Sequence, residues 1–222
     1  MDAHLLERYG SPEGAAAYRR KYESSRARRW SNRRELRAVA QALELAQASG
    51  RLLDCPCGAG RLTPTLLQVA EHVTAVDLSP TMVAEARDAL AEPARAGRVD
   101  FAVASADRLP FPDKAFDTVV CHRLLHHLGE PAQRALVLKE LARVAGRRVV
   151  LSFSDATTWK ARLQGLRRVK RRRTILTPSA IAAEARAQGL VLEGAPFRLS
   201  SLFSLVAVAV FRVEGSPGSG KI

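Results

Sequence analysis

Between Leu52 and Leu62 the chain reads LLDCPCGAGRL, which sets Asp54, Cys55, Cys57, Gly58 and Gly60 within seven residues between apolar flanks. Two chemistries compete for this spacing. A Cys-x-Cys pair offers thiolates to a metal or a redox partner. A glycine turn that follows an apolar run and opens a helix instead exposes backbone N–H groups to a nucleotide-like ligand. A structural zinc site takes four ligands in pairs, and with three cysteines in all no second pair exists. His122 and His126 stand four residues apart, the spacing of one helical face, but no acidic third ligand accompanies them. No metal is expected.

The next acid supports the glycine-turn reading. Asp77 ends the following apolar run, 17 residues beyond Gly60, where a carboxylate accepts hydrogen bonds from both hydroxyls of a ribose. The competing role for Asp77 is N-cap of a helix beginning at Ser79 or Pro80, which Ser79 fills equally well.

Such residues need a frame that brings strand ends together. Five apolar runs, RLLDC (51–55), HVTAVDL (72–78), VDFAVA (99–104), FDTVVC (116–121) and RRVVLSF (147–153), read as strands. Between them RLTPTLLQVAE, SPTMVAEARDALAE and EPAQRALVLKELARVA read as helices. Strands this apolar have no wet face, so they imply a parallel sheet with helices on both sides. Upstream, one helix is expected to open at Ser11–Pro12 and another to run from Ser31 to Ala48, with Leu36, Val39, Leu43 and Ala46 on one stripe. After Phe153 the rhythm breaks. Residues 155–176 read as a basic helical insertion with Trp159, Leu163 and Leu166 at helical spacing. A helix capped by Thr177 and stopped at Gly189 follows, then two closing strands joined tightly enough to be antiparallel. The expected organisation is one domain: a helical cap (1–50), a core (51–213) and a flexible tail (214–222).

Composition bounds the rest. The 222 residues are 47% hydrophobic and 26% charged, the balance of a globular protein with a real core. The longest apolar stretch, Ser201–Phe211, falls short of the ~20 residues that cross a bilayer. The N-terminus lacks the order of a secretory signal, and three cysteines make no disulfide framework, so a reduced, cytoplasmic protein is expected. The net charge of +13 is localised. Residues 19–37 hold nine basic residues against two acids, residues 160–173 hold eight against none, and the remainder of the chain is close to neutral. Two cationic attachments on a neutral body point to an anionic partner: a phosphorylated substrate, a nucleic acid or a membrane surface.

LLDCPCGAGRL, VTAVDLSPTMV, ASADRLPFPDKAFDTVVCHRLLHHL and ELARV, in that order, resemble the successive motifs of class I S-adenosylmethionine-dependent methyltransferases. The likeness is closest to the small-molecule branch that includes quinone-biosynthesis enzymes. It covers Arg51 to about Phe153, and the two closing strands suit that family's Rossmann-like, seven-stranded sheet with an antiparallel last strand. A nicotinamide-binding protein would carry G-x-G-x-x-G, which is absent.

The resemblance implies S-adenosylmethionine as cofactor and S-adenosylhomocysteine as product. It assigns the loop from Asp54 through Cys57 and Gly58 to Gly60 to the methionine end, Asp77 to the ribose, and Leu78 and Met82 to the flanks of the adenine. The adenine edge falls to Ser105 with the Ala106 N–H, or to Asp107 in a shifted loop, because the acid common in the family at position 105 is a serine here. Cys121 and His122 end the fourth strand, where sulfonium and acceptor would meet. His126 is the candidate for contacting or deprotonating an acceptor, against a scaffold role for the same ring. Cap and insertion commonly cover the acceptor pocket in this family, which implicates Tyr18, Tyr22, Arg26, Trp30 and Trp159. Pro56 stands where the family has its first glycine and donates no N–H. Asp54, Gly58 and Gly60 remain, so cofactor binding is expected to survive.

The expected function is methyl transfer to a small acceptor that is anionic, phosphorylated or lipid-linked, with peripheral contact at an anionic membrane. An RNA methyltransferase and a non-catalytic binding protein of the same fold are the competing readings.

Overall fold

The computed structural model describes residues 25–166, 174–198 and 204–216. The helix expected from Ser11, Tyr18, Tyr22, the basic run 167–173 and residues 217–222 of the tail lie outside the described residues.

Helix α1 (Arg26–Leu45) begins five residues before the expected Ser31 because Ser25 caps it, its Oγ accepting the Arg28 N–H at 3.2 Å. Glu35, Ala38, Val39, Ala42 and Leu43 recur at helical spacing and form its buried face. The chain then turns at Gly50, whose φ of +68° suits a residue without Cβ. A Cβ there would also strike the Asp117 carboxylate, which accepts the Arg51 N–H at 2.9 Å.

The core elements follow as β1 (Arg51–Asp54), α2 (Thr63–Leu66), β2 (His72–Asp77), α3 (Pro80–Ala89), α4 (Ala91–Arg95), β3 (Val99–Val103), β4 (Phe116–Cys121), a 3-10 turn (Leu125–His127), α5 (Pro131–Val144) and β5 (Ala145–Ser154). Then come α6 (Trp159–Leu166), α7 (Pro178–Arg186), β6 (Leu190–Arg198) and β7 (Val206–Val213). The seven strands form one sheet in the order β3-β2-β1-β4-β5-β7-β6, with β7 antiparallel to both its neighbours and the remaining pairs parallel. The expected Rossmann-like sheet with an antiparallel last strand is thus present. Among the described residues no helix is long and apolar enough to cross a membrane.

Alternation along the strands divides the core. Leu53, Val119, Val149, Leu151 and Phe153 pack with Leu138 and Leu141 of α5 and Ile181 of α7. Leu52, Val120, Val150, Val208 and Val210 pack on the other face against Val39 and Leu43 of α1. Parity therefore puts Asp54, His122, Ser152 and Ser154 on the α1 side of the sheet.

Three expected elements differ in extent. The helix expected over RLTPTLLQVAE is a single turn, and the Arg98 guanidinium takes up its terminal carbonyls at Leu67 (2.7 Å) and Ala70 (2.8 Å). The helix expected over SPTMVAEARDALAE breaks at Leu90, where Pro93 has no N–H with which to continue the ladder. Strand β5 extends to ten residues because β4 and β7 support it on both sides.

Candidate active site

The carboxyl ends of β1, β2 and β4 lie side by side, since Asp54 pairs with Ala75 on one side and Val120 on the other. The loop leaving β1 is anchored twice, by the Cys55 N–H on the Val120 carbonyl (3.0 Å) and the Cys57 N–H on the Val76 carbonyl (2.8 Å). Pro56 sits between these anchors, following a cis peptide bond, so its missing N–H removes neither bond. Gly58 and Gly60 then turn the chain at φ values of +54° and +74°.

Asp77 closes this turn. Its Oδ2 accepts the Gly58 N–H and its Oδ1 the Ser79 N–H, each at 2.9 Å. Ser79, not Asp77, caps α3, its Oγ accepting the Met82 N–H at 3.3 Å. That division of labour leaves the Asp77 carboxylate with acceptor capacity for a ligand hydroxyl. Burial pushes the Asp77 carboxyl above its ordinary range, and its backbone N–H partners oppose that shift.

Asp54 is fully buried. The Thr63 hydroxyl donates to its Oδ2 at 2.7 Å, and its Oδ1 has no partner. Burial raises its pKa to about 7; the Thr63 hydrogen bond and the Arg61 charge pull the other way. A buried carboxylate oxygen without a donor is costly, and a cation carrying N–H groups removes that cost. Cys57 is buried beside the loop with its Sγ 3.4 Å from the Gly58 carbonyl, and burial pushes its thiol up. Cys55 and Cys121 face the main core on the other side of the sheet, likewise with thiols raised by burial. The side chain of Cys121 therefore lies away from the α1 side that holds Asp54 and His122. Among the described residues no three His, Cys, Asp or Glu side chains gather as a metal site.

Along the neighbouring edge, Leu78 is half-buried, Met82 is buried, and Ala106 is buried beyond β3. Ser105 and Asp107 come together, the Ser105 hydroxyl donating to Asp107 Oδ1, while Ser105 also bridges Arg108. The two alternatives for the adenine edge thus form one polar unit.

The end of β4 carries what the sequence reading missed. His122 Nε2 meets Glu35 Oε1 at 2.8 Å, and the Arg123 guanidinium meets both Glu35 oxygens. Arg61, next to Gly60, lies 3.5 Å from Glu35 and donates to Asn32. Glu35 stood in the apolar stripe of α1, three, four and seven residues before Ala38, Val39 and Ala42; that position was the available signal.

His122 and His126 do not share a helix, because the chain leaves β4 through Arg123 at φ +62° and enters a 3-10 turn. His126 is buried with its ring against His127, and its carbonyl accepts the Thr174 N–H at 2.9 Å. Arg26 opens α1 on the surface. Trp30 is half exposed with the Arg34 guanidinium 4.6 Å from its ring, and Trp159 is half exposed at the start of α6.

The methyltransferase domain family matches residues 53–153. The ubiquinone biosynthesis O-methyltransferase of Xanthomonas euvesicatoria is 38% identical over 97 residues, which cover 43% of this chain and 39% of that protein. A ubiquinone/menaquinone biosynthesis C-methyltransferase of Pseudomonas fluorescens is 32% identical over 121 residues, 52% of this chain and 47% of that one. The matches thus span less than half the length of these curated relatives. Among solved structures, magnesium protoporphyrin IX methyltransferase from Synechocystis PCC 6803 with bound S-adenosylhomocysteine superposes at a TM-score of 0.77 with 20% identity, covering 96% of this chain and all of that one. The [4+2]-cyclase SpnF shares the fold at a TM-score of 0.61 and 19% identity, covering 81% of this chain and 80% of that one. The fold by itself therefore does not specify methyl transfer.

Proposed function

We propose that this chain, whose residues 53–153 match the methyltransferase domain family, is a class I S-adenosylmethionine-dependent methyltransferase that transfers a methyl group to a small-molecule acceptor. The observation that carries the reading is the pair of carboxylates at neighbouring strand ends, the buried Asp54 with one unpartnered oxygen and the partly buried Asp77 with spare acceptor capacity beside the glycine turn.

In this reading Asp54 Oδ1 receives the ammonium of the methionine end, and Asp77 receives the ribose hydroxyls. Gly58 and Gly60 let the backbone approach, with Cys57 beside them. Leu78 and Met82 flank the adenine, and the Ser105–Asp107 unit with the Ala106 N–H reads its edge. When bound, S-adenosylmethionine supplies a methyl group on a sulfonium, already a strong electrophile, and leaves as S-adenosylhomocysteine. The protein's task is then alignment of the acceptor and exclusion of water. Where the acceptor must lose a proton at or before attack, His126 is the proposed recipient.

For the acceptor we infer an aromatic or quinol-type molecule with an anionic or lipid-linked end. Quinone-biosynthesis relatives support the first part. The second rests on charge: α1 carries Arg26, Arg28, Arg29, Arg33, Arg34 and Arg37, with Trp30 half exposed among them. The same cationic face suits peripheral contact with anionic lipid at the cytoplasmic side of a membrane.

Methyl-labelled S-adenosylmethionine incubated with the protein and a panel of catechols, quinols, porphyrin carboxylates and RNA tests the reading. Label on a small aromatic acceptor supports it. Label on RNA alone, or no S-adenosylhomocysteine binding by calorimetry, overturns it.

A further inference from the structure

Glu35 lies on the buried stripe of α1, 1% exposed, yet its two oxygens meet groups from two other segments. Oε1 accepts His122 Nε2 at 2.8 Å and Arg123 Nε at 2.6 Å. Oε2 accepts Arg123 Nη2 at 2.9 Å and lies 3.5 Å from Arg61 Nη1. Arg61 Nη1 also donates to Asn32 Oδ1, one turn earlier on α1. The Arg123 N–H is in turn held by Ser152 Oγ at 2.7 Å.

Taking a carboxylate out of water costs several kcal/mol, which two guanidinium groups and an imidazole offset here. They hold the Glu35 carboxyl far below its usual range although burial opposes this. If α1 only had to pack on the sheet, a leucine at this position would serve with less cost. The chosen partners are instead the residue after Gly60 and the two residues after β4, the segments that border the cofactor cleft of the proposed function. With its Nε2–H committed to a carboxylate, His122 is also fixed in one tautomer and orientation. Removing the Glu35 charge would leave the rim of a site for a sulfonium cation one unit more positive.

We propose that Glu35 is a positioning residue that locks α1 onto the glycine-turn and β4-end segments through Arg61, Arg123 and His122, and balances their charge for a cationic cofactor. The proposal rests on the methyltransferase reading and deepens it. A purely structural carboxylate would affect charged and uncharged ligands alike; a charge-balancing one distinguishes S-adenosylmethionine, a sulfonium, from S-adenosylhomocysteine, a neutral thioether.

Titration calorimetry with both ligands on wild type, Glu35→Gln and Arg123→Gln reads this difference. In Glu35→Gln the ratio of S-adenosylmethionine to S-adenosylhomocysteine affinity is expected to fall about fivefold or more, as a partly desolvated charge is lost. In Arg123→Gln it is expected to rise. Equal losses for both ligands in both variants overturn the proposal and leave the methyltransferase reading intact. If Glu35→Gln does not fold, the direction of the Arg123→Gln shift decides by itself. A wild-type protein that binds neither ligand overturns the methyltransferase reading and this proposal with it.

Discussion

One carboxylate, that of Asp77, accepts the N–H groups of Gly58 and Ser79 at 2.9 Å each, tying the glycine turn after β1 to the chain leaving β2. The residue assigned to the ribose is thus also the residue that shapes the loop for the methionine end. In the proposed function, cofactor recognition and loop geometry would share this side chain.

Replacing Asp77 by alanine removes the ribose acceptor and strands two N–H groups in a partly buried turn. Affinity for S-adenosylhomocysteine, measured by calorimetry, is expected to fall by about a hundredfold or more, from two lost charge-assisted bonds of roughly 1.5–3 kcal/mol each. Asp77→Asn keeps one acceptor oxygen and should fall in between. Unchanged affinity in Asp77→Ala would sink the ribose assignment.

With Asp54 holding the ligand ammonium as proposed, cofactor affinity is expected to depend on pH. Its carboxyl titrates near 7 in the free protein, against 3.8 ordinarily. A ligand ammonium beside Oδ1 favours the ionised form, so binding releases a proton and affinity should rise as pH increases through about 7. The same raised pKa acts on the unliganded fold in the opposite direction. The native state holds a proton that the unfolded chain has lost, so this group's contribution to stability declines between about pH 4 and pH 7. Calorimetry in buffers of different ionisation enthalpy at pH 6, 7 and 8 should show the proton release, and Asp54→Asn should abolish it.

Gly50→Ala is expected to destabilise the fold by about 1–3 kcal/mol. The new Cβ would strike Asp117 Oδ2 at a backbone φ of +68°, forcing Asp117 off the Arg51 N–H. Urea unfolding gives the difference, and a midpoint equal to wild type contradicts the geometry.

Arg134 is buried and bonded four ways, to both Glu184 oxygens (2.8 and 2.6 Å) and to the carbonyls of Leu128 (3.0 Å) and Gly129 (2.9 Å). It joins α5 and α7 to the chain just beyond the 3-10 turn that carries His126. Arg134→Ala is expected to cost about 2–4 kcal/mol, the lower part of the range for a broken buried pair because Glu184 is partly solvated. Chemical denaturation measures it. Glu184→Gln, which keeps an acceptor, should cost less.

How far the sequence reading reached follows from the range of the interactions involved. The glycine turn, the strand-ending Asp77 and the Ser79 cap are all legible because each depends on residues within a few positions. The short α2 and the break before α4 were not, since Arg98 reaches across 31 and 28 positions to the carbonyls of Leu67 and Ala70, and Pro93 acts where apolar periodicity continues. The Ser105 and Asp107 alternatives proved to be one contact, because a two-residue separation in a turn brings the side chains together.

Apolar alternation and the order of motifs by themselves determined a parallel sheet with a glycine turn and an acid at successive strand ends, since those are local properties of a chain that must bury its strands. Tertiary structure alone decided which side of the sheet each residue serves. It sent Cys121 into the main core and His122 toward α1, and it brought Glu35 to Arg123 across 88 positions. No periodicity encodes such a pairing: a buried charge is tolerated only where folding delivers its counter-charges, and those come from segments remote in sequence.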